Sequence, residues 1–371
     1  MFLSLVIAGR SPRFMNSKSG FSGYWKLVDE GEPFRILFPL GTVMGLIGVL
    51  LWPAYLWAGI SYPVLSHAGV MIQCFFFSFV MGFLGTAFPR LLEVPKFRLW
   101  ESIRLAVGIV IVAGLHLTFH NRLADMAFCL LQLYFLGSIL RRFRLRKDIP
   151  PPAFVLVLMG MMCALLGVIL QVTLTTWPNL LPIEFYFLGK GLLQQGFLLL
   201  PIMGIGAFLL PRFFGLTSQQ RFPESLKPPP GWWPRARIAA IAILVYFYRE
   251  VPFHKADFSR GALAWSLCIA LAMIPLGYFL MAWFPLRQTA LIHIIFIGGF
   301  SLITFTVASR VVLGHSGQSH KFARPLKPVF LMTGLFMVAL ITRVSADWMP
   351  DLRITHYAYA GLAWAAAVAV W

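Results

Sequence analysis

Charge is what this chain has least of. Of its 371 residues only 12% are Asp, Glu, Lys or Arg, and acidic residues number just 13. So little charge excludes an ordinary water-facing globular surface. Strict alternation of apolar and polar residues is missing as well, which excludes a membrane β-barrel. Cysteine is scarce: Cys74, Cys129, Cys163 and Cys268 all fall inside apolar segments, with no CxxC pair and no CxxCH run. Covalent haem attachment is thereby excluded, and the four thiols read as small core residues. The opening "MFLSLVIA" is too short for the apolar core of a signal peptide with a polar start and a cleavage site. It is expected to lie on the membrane surface.

What the chain does have is apolar length. Hydrophobic residues make up 59%, mean hydropathy is +0.79, and runs near the ~20 residues needed to cross a bilayer recur throughout. In lipid every backbone polar group must find its partner within the protein, so continuous apolar runs of this kind are helices. The pattern predicts an all-α polytopic transmembrane bundle with spans at 37–58, 65–88, 102–119, 123–140, 152–173, 184–210, 236–249, 261–283, 288–314, 326–345 and 354–371. The eleventh runs to Trp371 without a basic stop, which leaves room for a twelfth.

A net charge of +18 would point a soluble chain toward nucleic acid. Here the basic residues sit in short loops between apolar runs, so topology explains them and no nucleic-acid partner is expected. "PRLLEVPKFR", "RRFRLRK" and the long loop after Leu210 are basic, whereas "SYPVL" and "TTWPNLLP" carry no Lys or Arg. The amino terminus is therefore expected on the cytoplasmic side of a bacterial inner membrane. Four stretches follow: a cytoplasmic segment 1–36, a first half 37–210, a proline-rich cytoplasmic linker 211–235, and a second half 236–371.

An internal repeat fits that division. "QCFFFSFVMGFLGTAFPR" (73–90) and "QGFLLLPIMGIGAFLLPR" (195–212) share Q-x-F, M-G and P-R at identical spacing. Four spans apart, the two copies point the same way, as a parallel duplication requires.

Polar residues inside or beside apolar runs are the candidates for function. With the orientation above, His67, His116, His120, His254, His315 and His320 fall near the outer face, while His293 lies five residues into its helix from the cytoplasmic side. His293 and His315 stand 22 residues apart, or ~33 Å along an unbroken helix, so they cannot share one metal. Any one imidazole can simply bond a neighbouring carbonyl; His67, His293 and His315 stand out because each has glycine nearby, where a flat macrocycle can approach backbone. Spacing does not separate haem from copper. Arg90, Arg212 and Arg310 end apolar stretches, either as interface anchors or as partners for haem carboxylates. Lys190 lies within the sixth span, with Glu184 as a candidate partner. No acid able to deliver protons is evident in the helices, so no catalytic cycle is assigned.

These motifs carry a resemblance. "EPFRILFPLG", "SHAGVMIQCFFFSFVMGFLGTAFPR", "LPIMGIGAFLLPRFFG" and "LIHIIFIGGFSLITFTVASRVVLGHSGQ" resemble stretches of the NnrS family, membrane proteins that contain haem and copper and are linked to nitric oxide stress. The resemblance covers essentially the full chain and implies twelve helices. It also implies that His67, His293 and His315 are metal ligands and that Arg310, with Gly314 in the same signature, belongs to the cofactor site; Arg90 and Arg212 are candidate cofactor contacts by their place at the ends of apolar stretches. Two positions depart from the family pattern: Gly69 and Val70 replace a second histidine and an acid, and Gln318 replaces an arginine. The expected cofactors are haem b and copper. The expected partners are lipid, a small gaseous or redox ligand and a quinol or redox-protein donor, with electron transfer or a haem-dependent oxidoreductase acting on nitric oxide as forms of the reading. A transporter of copper, haem or a small solute, with a midplane site at Lys190, is the alternative. A structural subunit that holds a partner is a third.

Overall fold

A computed structural model describes residues 20–216, 230–231, 234 and 261–371. Among them there is helix and no strand. After a short helix α1 (Gly20–Asp29) come α2 (Phe34–Ala58), α3 (Val64–Leu91), α4 (Leu99–Leu117), α5 (Asn121–Phe143), α6 (Phe154–Thr176), α7 (Glu184–Phe214), α8 (Ala262–Trp283), α9 (Pro285–His315), α10 (Lys327–Trp348) and α11 (Arg353–Val370). Nine of these, α2 to α10, are long and apolar enough to cross a membrane. This is the architecture of a multi-pass membrane protein. Ten of the eleven expected spans coincide with described helices; the span expected at 236–249, most of the linker expected at 211–235, the segment "MFLSLVIA" and His254 lie outside the described residues.

Side-chain placement is that of a protein solvated by lipid. On α6, Leu158, Met162 and Leu166 are exposed at four-residue intervals, while Leu156, Gly160, Ala164 and Val168 are buried on another face. Leucine on both faces costs nothing where the surroundings are hydrocarbon, so helix contact depends on close fit and on small residues instead. Gly160 and Gly167 supply that fit: an added Cβ would stand 2.4 Å from Pro201 Cδ at the first position and 2.7 Å from the Gly189 carbonyl oxygen at the second.

The helices form two compact units. One contains 38–71 and 261–371; the other contains 28–37 and 72–216. Chain order is not packing order, because α2 joins the C-terminal helices, and this division differs from a boundary placed at 211–235.

In the first unit, α11 lies against α2 closely enough that a Cβ on Gly361 would meet the Val49 carbonyl oxygen at 2.6 Å. Trp364 and Trp371 donate their indole N–H to Ser301 and Ser309 of α9 at 3.3 and 2.8 Å, and both rings pack edge-on against Phe305. One end of the unit gathers the end of α2, the start of α3, the start of α9, the end of α10 and the start of α11. Trp52 contacts the rings of Tyr62, His67 and Tyr357 there, and Arg287 donates to the Asp347 carbonyl. At the opposite end Gly261, with φ +90, packs against the backbone of Phe322 and Ala323 beyond α9.

In the second unit a buried ion pair fastens the basic loops. Arg142 reaches Glu101 at 2.6 Å and donates to the carbonyls of Pro95, Ser138 and Lys96, with its guanidinium 3.9 Å over the Phe97 ring. The Lys147 N–H bonds the Leu92 carbonyl. "PRLLEVPKFR" and "RRFRLRK" thus meet at one end of the unit, as two loops on one side of a membrane should.

Candidate functional site

Among the described residues three long helices are interrupted by π-helical turns, at Val70–Phe76 in α3, Leu192–Gly196 in α7 and Ile294–Ser301 in α9. These are also the three most enclosed spans. A π turn carries one more residue than the α-helix would, aims side chains off the regular face, and is frequent at functional sites. His67 precedes the first by three residues, Lys190 the second by two, and His293 immediately precedes the third. The first and second begin at Val70 and Leu192, which is the offset of the sequence repeat (192 − 70 = 122).

His67, at the start of α3, and His293, in the first turns of α9, lie at the same end of the first unit. They interact electrostatically with each other, and both feel Arg343 of α10. The expectation had placed these two histidines near opposite faces and grouped His67 with His315. That is corrected here: His67 and His293 sit at one end of the first unit, and His315, 22 residues beyond His293 on the same rod, lies roughly 30 Å away at the other end. His320 shares the His315 end, so the histidines do not gather on one face. The opposite-face assignment depended on counting 236–249 as a crossing, and that segment is outside the described residues.

Each candidate imidazole is oriented by a backbone carbonyl. His67 Nδ1 lies 2.8 Å from Gly48 O on α2, His293 Nδ1 2.8 Å from Thr289 O, and His315 Nδ1 2.9 Å from Val311 O. A carbonyl oxygen only accepts, so Nδ1 carries the proton and the neutral ring keeps its lone pair on Nε2. Histidine ligands of metals are held in this way. All three rings are half-buried.

Arg343 is the site residue that sequence reasoning missed. It is only 6% exposed, its guanidinium stacks 4.0 Å over the Tyr357 ring, and its buried Nη1 has no hydrogen-bond partner. Tyr357 bonds Asp347 at 3.4 Å, and Ser345 bonds His356 Nδ1 at 3.1 Å. The signal was in the sequence: an arginine inside "FMVALITRVSADW" meets the same rule that singled out Lys190.

The remaining candidates are placed elsewhere. Arg90 pairs with Glu32 at 3.0 Å, Arg212 lies 4.4 Å over Phe208, and Arg310 lies 4.2 Å over Phe322. A Cβ on Gly314 would meet Phe322 at 3.7 Å. Lys190 and Glu184 are both exposed, and no ion pair joins them.

Among the described residues no group of three or more His, Cys, Asp or Glu could hold a metal. A lone dication beside a buried guanidinium would also meet like charge. A haem needs one or two imidazoles and brings carboxylates that satisfy an arginine.

No curated protein and no solved structure matched the chain. A family model described as NnrS protein matches residues 31–371. That match covers nearly the whole sequence, including every span and both histidine groups described above, and the chain therefore belongs to the NnrS family.

Proposed function

We propose that this protein is a haem-binding protein of the bacterial inner membrane, its amino terminus cytoplasmic, that binds or processes nitric oxide or passes electrons in the response to it. One observation supports this most: two imidazoles from α3 and α9, each fixed with Nε2 as the lone-pair nitrogen, stand beside a buried arginine whose Nη1 lacks a partner. In this reading His67 and His293 are the nitrogen donors and Arg343 is the counter-charge for the cofactor's carboxylates. Bound haem would supply an iron that takes nitric oxide or an electron. The chain's part is to orient the donors, exclude water with Trp52 and Tyr357, and place the site in an apolar phase where nitric oxide concentrates. Copper is the smaller half of the proposal, with His315 as one imidazole at the far end of the unit beside Arg310 and Gly314. A quinol or a redox protein is the class of electron donor that suits a site within the membrane.

Purified protein in detergent, expressed with haem supply, should show a Soret band and contain iron. His67→Ala and His293→Ala should each remove or shift the band, and His315→Ala should leave it while lowering bound copper. Colourless, iron-free wild-type protein would overturn the reading. The transporter alternative placed its site at Lys190, which is exposed rather than directed inward.

A further inference from the structure

The second unit holds a buried polar chain that the haem reading does not use. Gln73 of α3 and His116 of α4 are 3% and 2% exposed. His116 Nε2 lies 3.0 Å from Gln73 Oε1, and Gln73 Nε2 donates to Asp125 Oδ1 of α5. His116 Nδ1 lies 2.9 Å from Asn121 Oδ1. His116 and Asp125 also interact electrostatically. The absence of a proton-handling acid from the helices, expected above, is corrected by Asp125, which sits in the first turns of α5. Asp125 falls within the span expected at 123–140, and only folding shows that it bonds Gln73 across helices.

The bonding directions constrain the chemistry. An ionised Asp125 accepts from the Gln73 amide N–H, which turns the Gln73 carbonyl toward His116, so Nε2 must carry a proton. The other ring nitrogen faces a side-chain amide that serves either state. With Asn121 Oδ1 toward the ring, Nδ1–H donates and the ring is cationic. With that amide turned over, its N–H donates to a bare Nδ1 and the ring is neutral. One amide rotation separates the two, and neither leaves a buried group unpaired. Most buried histidines have partners for one state only.

We propose that His116 is a reversible proton-binding site within the membrane, with Asp125 as its counter-charge acting through Gln73 and Asn121 as the adaptable partner. The proton comes from water at the α4–α5 turn and adds to Nδ1; no electron or covalent bond is involved. Gln73 is placed by the π turn Val70–Phe76, which holds it at its centre. The groups facing His116 include Gln73 from α3 and Asn121 and Asp125 from α5. At the turn itself His120 is exposed and bonds Thr118, and Arg122 is exposed.

The test is nitrogen NMR of the full chain, labelled in histidine and held in lipid nanodiscs. The His116 signals are assigned by their loss in His116→Gln, with His120 as an exposed reference. In the wild type both ring nitrogens of His116 should become protonated reversibly as pH falls, Nε2–H being present throughout. In Asp125→Asn the doubly protonated state should disappear from the range in which it forms in the wild type, and in Gln73→Leu the Nε2–H signal should shift. The wild-type titration alone decides the matter if a variant fails to fold. A His116 that keeps one protonation state while His120 titrates would overturn the proposal, as would a transition unchanged by Asp125→Asn.

Discussion

Two arginines, both buried and both at the ends of helices, do opposite things. Arg142 uses its donors on Glu101 and three backbone carbonyls, whereas Arg343 keeps Nη1 unpaired. The first is a clasp and the second an open valence. Removing one member of a buried ion pair strands the other, so Arg142→Ala is expected to cost about 3–5 kcal/mol, read as a lower melting temperature in detergent whether or not a cofactor is bound. Arg343→Leu removes a buried charge that the cofactor-free protein leaves incompletely bonded. Because it also gives up the Tyr357 bond and the attraction of Asp347, it should cost the cofactor-free protein some stability, less than Arg142→Ala, and abolish most of the stabilisation that haem addition gives the wild type. Equal losses with and without haem would make Arg343 a structural residue. Of the site's side chains, His67 and His293 were legible as polar interruptions of apolar runs. Their pairing was not, because it follows from which helix ends meet.

At the scale of the helix, hydropathy marks where each span lies but not where its hydrogen bonding slips. The π turns in α3, α7 and α9 change register by one residue within runs whose apolar character is uninterrupted, so periodicity cannot detect them. Glycine contacts are half legible for a related reason. "LMGMMC" and "GVILQV" show small and large residues in a row, but that Gly160 faces a proline ring of α7 depends on how α6 is rotated. The Pro201 ring is rigid and cannot yield to a new methyl group 2.4 Å away. Gly160→Ala should destabilise the second unit by about 1–3 kcal/mol, measured by detergent melting, whereas the same change at Gly137, where nothing lies within 4 Å, should be neutral or slightly stabilising.

For the molecule as a whole, the two basic loops that meet through Arg142 and Lys147 lead to a topological expectation. With the native cysteines replaced by alanine, single cysteines at Glu93 and Asp148 should react with a membrane-impermeant thiol reagent from the cytoplasmic side only, and one at Thr118 from the other side only. Labelling of Glu93 and Asp148 from different sides would break the second unit's arrangement. The chain's own hydropathy decided that it is helical, that it crosses a membrane repeatedly, and to within a few residues where ten of its described helices lie. Those properties depend on local backbone satisfaction and on transfer of side chains to lipid, and both are summed along the sequence. Tertiary structure alone decided that α2 packs with the C-terminal helices, that His67 shares one end of its unit with His293 and Arg343 rather than with His315, and that Gln73 joins Asp125 to His116. In lipid no apolar face is forced inward, so which helices touch is fixed by shape, by small residues and by a few buried hydrogen bonds between residues far apart in the chain.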